Sequence, residues 1–240
     1  MKVKVKTYSK IERIIYRVIN ITLIVSFFAL YLAYILIKGK NAESEILGIL
    51  ATIIISVFGI FVTLNLTIIS IDSLTKKKME KKLKEYQKQE KYQEAIDYLL
   101  NLANKKTLYN LSQRIIHYLA YFSLLLDNQE EALYYLSEFD IDQQKVVNLD
   151  CVILILFLNY IIGFINQNET MLVKARLDYV KQKPKVLKHR PSISLRQVIN
   201  LLFEIIDLME NNEIKTAMEK LTKFKFSDIP MIAKFIEANK

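Results

Sequence analysis

Residues 18–71 read VINITLIVSFFALYLAYILI, then KGKNAESE, then ILGILATIIISVFGIFVTLNLTIISI. Neither Val18 to Ile37 nor Ile46 to Ile71 contains a charged side chain. At 1.5 Å rise per residue, about 20 apolar residues in a helix cross the roughly 30 Å hydrocarbon layer of a bilayer. The first run reaches that length, and the second exceeds it, with room to tilt. The connection 38–45 is too short to be a domain, so the two runs predict a transmembrane hairpin. The first run is also too long for a cleaved leader. Lys38-Gly39-Lys40 after it is not the small-residue cleavage site such a leader needs.

Charge orients the hairpin. The chain of 240 residues carries a formal net charge of +9, which by itself suggests a nucleic-acid partner. The excess is local, however. Residues 1–17 hold six Lys/Arg against Glu12, and residues 72–91 hold eight Lys against Asp72, Glu80, Glu85 and Glu90. The loop 38–45 and the remainder 92–240 are each balanced. Basic residues therefore stand before the first span and after the second. The positive-inside rule then places both termini in the cytosol and the loop outside. The expected location is the cell membrane, with two spans.

Within the second span Gly48, Thr52, Ser56, Gly59, Thr63 and Thr67 recur every three or four residues, and share one helical face. Thr22, Ser26, Ala29 and Ala33 make a shorter version in the first span. Small faces let helices approach closely in lipid. Packing of the two spans on each other explains the pattern most simply, and a homo-oligomer is the alternative. Asn20 and Asn65 both lie toward the cytosolic side, where they can hydrogen-bond. No ionisable residue lies inside either span, so an ion pathway or proton relay has no candidate group.

Between Ile60 and Ile162 there is no Pro and no Gly. The second span is therefore expected to continue as a basic helix over 72–89, ending near Lys88. Its lysines, Lys76 to Lys84, meet an anionic headgroup surface. Residues 90–240 predict a helical cytosolic domain with helices at 90–104, 108–126, 128–139, 149–167, 169–182, 193–210, 213–224 and 228–239. Asp127 with Glu130 suggests a capping box, and Asn168 and Asn212 are candidate N-caps. Cys151 to Ile165 is an apolar stretch interrupted by Asn159. It is shorter than the 18 or more residues that mark a span. A crossing there would also put the basic segment after it on the outer side. It is read as the buried central helix of the domain.

The domain shows weak internal repetition. Lys91-Tyr-Gln-Glu-Ala95-Ile-Asp-Tyr-Leu99 matches Asn128-Gln-Glu-Glu-Ala132-Leu-Tyr-Tyr-Leu136. Looser copies centre on Ala175 and Ala217. Ala120 and Gly163 precede Ala132 and Ala175 by the same interval, while Leu83 and Ile205 stand where small residues would precede Ala95 and Ala217. This pattern resembles the tetratricopeptide-type helical repeat over about residues 90–225. The intervals here are longer than that family's roughly 34-residue period. The resemblance implies an α-solenoid-like stack of helix pairs that holds a protein partner. The expected fold class is thus all-α: a two-helix transmembrane hairpin followed by a tetratricopeptide-like helical domain.

Few catalytic options exist. Of four glycines, Gly39, Gly48 and Gly59 belong to the hairpin, leaving Gly163. Phosphate-cradling loops need several. His117 and His189 have no ligand-type residue three or four positions away, and the one cysteine, Cys151, cannot make a Cys-based zinc site. No catalytic, cofactor or metal residue is assigned, and the chain is not expected to be an enzyme. The remaining candidate is a basic run: Lys174, Arg176, Lys181, Lys183, Lys185, Lys188, Arg190 and Arg196. Such a patch suits an anionic lipid surface, a protein or nucleic acid. Only Tyr179 is interleaved, so a base-stacking platform is not indicated. A solvated face plus a linker containing Pro184 and Pro191 is the plain alternative. The leading expectation is a membrane-anchored scaffold or regulator. A membrane-anchored nucleic-acid binder, in phage defence or replication control, is second. An immunity or accessory role beside a transporter is third.

Overall fold

The computed structural model describes residues 73–104, 109–139, 141, 149–188, 193–223 and 225–239, with Ile24, Phe28, Tyr31, Val57 and Gly59 from the N-terminal part. Regular structure among them is entirely helical, so the chain is all-α there. Helix α1 occupies 73–88. It is followed by α2 (Tyr92–Ala103), α3 (Tyr109–Leu125), α4 (Gln129–Glu138), α5 (Leu149–Ile165), α6 (Glu169–Lys188), α7 (Ile193–Glu210) and α8 (Ile214–Leu221). A 3-10 turn, Lys225–Asp228, leads into α9 (Pro230–Ala238).

The chain divides into two compact units, with the boundary in sequence between Lys82 and Leu83. The C-terminal unit includes the last turns of α1, from Leu83. Leu83 is buried, and Tyr86 meets Tyr98 of α2 with ring centroids 6.3 Å apart. In the N-terminal unit, Ile24, Phe28 and Tyr31 are helical and lie on one face. No helix among the described residues is long and apolar enough to cross a membrane. The two runs expected to do so lie otherwise outside the described residues.

One turn recurs four times in the C-terminal unit. Glu90, Asp127, Gln167 and Asn212 each take a left-handed backbone conformation, with φ of 55°, 57°, 52° and 63°. Two residues are bonded back to the preceding helix in every copy. The next amides, of Lys91, Asn128, Asn168 and Glu213, donate to the carbonyls of Tyr86, Ser123, Gly163 and Leu208 at 2.8–3.0 Å. The left-handed residues donate to Gln87, Leu124, Phe164 and Met209 at 3.1–3.3 Å. This is the Schellman closure, which satisfies carbonyls that a helix end leaves open. Each turn joins two consecutive helices, α1/α2, α3/α4, α5/α6 and α7/α8, and within each of the last three pairs the helices pack on each other.

The turns correct two of the expected caps. Asn128, not Asp127, caps α4: its Oδ1 accepts from the Glu131 amide at 3.2 Å, and its Nδ2 donates to Glu131 Oε2 at 3.0 Å. Asn212 ends α7 in the left-handed conformation, and the residue entering α8 is Glu213, with no side-chain cap. Asn168 caps α6 as expected, accepting from the Met171 amide at 3.0 Å.

They also correct the register of the third repeat. Ala95, Ala132 and Ala217 all stand five positions after the left-handed residue, and all are fully buried, as are Leu99, Leu136 and Leu221 one turn on. Leu172, not Ala175, holds that place in the third pair. A slip of three residues is nearly one helical turn, so Ala175 still falls on the buried face and the pattern alone cannot detect it. The pair closes because the bulk is exchanged. Gly163 sits against the start of α6, and a Cβ there would lie 3.2 Å from the Leu172 amide nitrogen and 3.4 Å from its Cα.

Helix α5 is the centre of the unit. It packs on α6, α7 and α3. Ten of its hydrophobic side chains are buried, from Cys151 and Val152 through Phe157 to Tyr160, Ile161 and Ile162. This explains an apolar run that resembles a span in composition: the helix is covered by protein on most sides. Phe226 covers the middle of α5, stacked on Phe157 at 5.3 Å and edge-on to Tyr121 at 6.0 Å. Helix α9 then returns to α3.

Candidate functional site

The basic run falls mainly on α6, which extends to Lys188 and includes Pro184 within it, where a linker was expected after 182. Proline removes the amide that would bond the Val180 carbonyl. Val180 is 69% exposed, so water can take up that acceptor. The buried face of α6 presents Ala175, Tyr179, Gln182 and Val186 to the rest of the unit.

The eight candidates separate into groups. Two are held by carboxylates of α7. Arg176 Nε donates to Glu210 Oε1 at 2.7 Å, and Tyr160 of α5 donates its hydroxyl to the same oxygen. Lys183 Nζ lies 3.0 Å from Asp207 Oδ2 and donates to the Tyr179 hydroxyl at 2.6 Å, while Tyr179 donates to Asp207 Oδ1 at 2.8 Å. The Lys183 ammonium also stands 4.9 Å from the Tyr179 ring centroid and 5.4 Å from that of Phe203. Burial, then the hydrogen bond to a carboxylate, pushes both tyrosine hydroxyls above their ordinary range. The hydrogen bond to Glu210 likewise holds Arg176 up. These two triads fasten α6 to α7. They neutralise two of the charges that the sequence offered to a partner.

Lys174, Lys181, Lys185 and Lys188 are exposed on α6, and Arg196 is exposed on α7. Arg190 lies outside the described residues. The sequence reading missed what lies between the α6 lysines. Val173, Leu177, Val180 and Leu187 are 51%, 67%, 69% and 53% exposed, and Pro184 is exposed with them. The spacing of four, three, four and three puts all five on one face, as in a coiled-coil seam. Among the described residues of the C-terminal unit, no other large apolar side chain is more than half exposed, and Leu126 comes nearest at 40%. That spacing was available in the sequence, but it looks the same whether a stripe is buried or not. An open cleft of about 310 Å³ runs beside the ridge between α6 and α7, and Lys183, Leu187, Phe203 and Asp207 contribute to its walls.

Of the small residues assigned to packing in the second span, Gly59 alone is described. A Cβ built on it meets no described atom within 4 Å. Gly48, Thr52, Ser56, Thr63 and Thr67 lie outside the described residues. Elsewhere, Arg114 of α3 makes a two-pronged bond to Asp150 of α5, both distances 2.9 Å, with the arginine side chain 6% exposed and the aspartate 36%. His117, one turn on, is fully enclosed. Burial lowers its pKa to about 4, opposed by the Asp150 charge and reinforced by Arg114. Cys151 is buried in the core.

No protein-family model, curated protein or solved structure matches this chain.

Proposed function

We propose that the chain is a membrane-anchored interaction module. A hairpin of Val18 to Ile37 and Ile46 to Ile71 holds the helical domain at the cytosolic face, where a tetratricopeptide-like stack recruits or regulates a protein. The observation that carries this reading is the segregation along the chain: two uncharged runs of spanning length, the whole basic excess beside them, and a charge-balanced domain after them. Ile24, Phe28, Tyr31 and Val57 support it, being helical apolar residues exposed by 46–60%. Lipid is the solvent that accepts such side chains without cost. Four equivalent turns between consecutive helices, three of them joining helices that pack on each other, support the helix-pair stack.

The anchor is tested with introduced thiols. Cys151 is buried, so a new surface cysteine is the reactive one. Asn41→Cys should react with a membrane-impermeant maleimide from outside intact cells. Ser73→Cys should react only in inverted vesicles. Extraction of the chain by alkaline carbonate would remove the anchor from the reading. Crosslinking from the domain in native membranes tests the partner, and recovery of nothing above background would count against it.

The nucleic-acid alternative is weakened by two observations. Arg176 and Lys183 are occupied by Glu210 and Asp207, and the exposed α6 lysines border aliphatic side chains where a nucleic-acid site would carry aromatic ones. Steeply salt-dependent binding of single- or double-stranded nucleic acid by the intact chain would restore it.

A further inference from the structure

The geometry points to α6 as a docking face for an anionic lipid bilayer. The ridge of Val173, Leu177, Val180, Pro184 and Leu187 beds at the boundary of headgroups and acyl chains, while Lys174, Lys181 and Lys188 meet the lipid phosphates. The inference rests on the membrane-anchored reading only in having a bilayer close at hand.

The ridge extends for about 21 Å at helical rise. Its four largest side chains are each more than half exposed, although the opposite face of the same helix is fully committed to the core. Helix α6 therefore does not have to leave the domain to present it. The Arg176–Glu210 and Lys183–Asp207 triads hold it in place from one side. Along the other side Lys174, Lys181 and Lys188 repeat every seven residues, and all three are exposed. An apolar stripe edged by lysines is the pattern of helices that lie in a membrane interface. The lysine stems cover apolar surface while their ammonium groups reach outward.

Charge selects among the occupants. A second α6 laid antiparallel along the ridge would set the lysine edge against the same lysines, and one laid parallel would leave that edge facing the already neutralised Arg176–Glu210 and Lys183–Asp207 pairs, with no anionic surplus to meet it. Like charges at these flanking positions oppose pairing. A nucleic-acid backbone would satisfy the lysines but bury an aliphatic ridge against phosphate and sugar. An anionic bilayer matches both features at once, with phosphates for the lysines and acyl chains for the ridge.

The test uses the full chain reconstituted in vesicles of phosphatidylcholine, or of phosphatidylcholine with phosphatidylglycerol replacing a third of it. Val180→Cys carries a polarity-sensitive fluorophore, and Asn101→Cys, exposed on α2, is the control. The Val180 label should shift to the blue in the anionic vesicles only. The shift should be lost in Lys174→Glu/Lys181→Glu/Lys188→Glu and reduced by high salt, and the control label should not move. Circular dichroism checks that the variants fold. Leu177→Gln, an exposed change that leaves the lysines, should also diminish the shift. A Val180 label that stays in water with both vesicles would overturn the proposal and leave the ridge to a protein partner. An equal shift in both vesicles would overturn its charge selection. A shift in detergent that grows with protein concentration would mean self-association and would overturn it too. A carbonate wash of the same vesicles reads the anchor separately. A chain that resists the wash without the blue shift sinks the docking face alone, and a chain that is washed off yet shows the shift at neutral pH sinks the anchor alone.

Discussion

His117 should make this protein acid-sensitive over a defined window, and His117→Phe should remove that sensitivity. The imidazole is enclosed between α3 and its neighbours, and burial lowers its pKa from 6.5 to about 4. Above pH 6.5 it is neutral in the folded and unfolded chain alike, and contributes no pH dependence. As pH falls below 6.5 the unfolded chain takes up a proton that the folded chain refuses until about pH 4, so stability declines through that interval and then levels off. One pKa unit corresponds to about 1.4 kcal/mol, so the full loss is on the order of 3 kcal/mol. Phenylalanine keeps the ring, which lies against Tyr118 at 5.2 Å. It also removes Nδ1, a buried nitrogen with no hydrogen-bond partner among the described residues. The variant should therefore match or exceed the parent at pH 7 and hold a flatter urea midpoint between pH 6.5 and 4. The assay is urea unfolding of the full chain in detergent, followed by far-ultraviolet circular dichroism. In parallel, the imidazole C2 proton signal that His117→Phe abolishes is titrated by NMR. A His117 signal titrating near 6.5, or an acid limb unchanged in His117→Phe, would refute the reasoning.

Four further outcomes follow from the packing and the turns. Asp150→Ala takes the carboxylate from a nearly buried guanidinium and should cost about 2 kcal/mol, less than a fully buried pair because the aspartate end is partly wetted; Arg114→Met in the same chain should recover part of that loss, as measured by a double-mutant cycle in urea. Gly163→Val forces methyl groups onto the Leu172 backbone at the α5/α6 contact and should destabilise by about 1–3 kcal/mol, with a lower thermal midpoint. At the turns, Glu90→Gly relieves a left-handed residue and should stabilise by about 0.5–1 kcal/mol, whereas Asn128→Ala, which deletes the α4 cap, should cost about 1 kcal/mol.

The basic run shows how a charge count and a charged surface differ. Arg176 and Lys183 stand seven residues apart on α6, while Asp207 and Glu210 stand three apart on α7, and the two sets meet only when the helices pair. Once they meet, the remaining lysines border a ridge of aliphatic side chains, and the surface becomes amphipathic where the sequence promised a basic one.

The sequence by itself determined most of the helices and their limits, because helix periodicity, caps and the scarcity of Gly and Pro are local signals. It also determined that Cys151 to Ile165 is too short to span a membrane, and that the basic excess lies beside the two uncharged runs. Three things were decided only by tertiary structure. The first is the register of the third repeat, where a three-residue slip leaves the buried face unchanged and only the Gly163 contact with Leu172 reveals it. The second is the continuation of α6 through Pro184, which depends on an exposed carbonyl at Val180 and on the packing of Val186 beyond the proline. The third is the exposure of Val173, Leu177, Val180 and Leu187. Periodicity states that residues share a face. Which face is covered depends on what other helices reach it, and that is a property of the assembled fold.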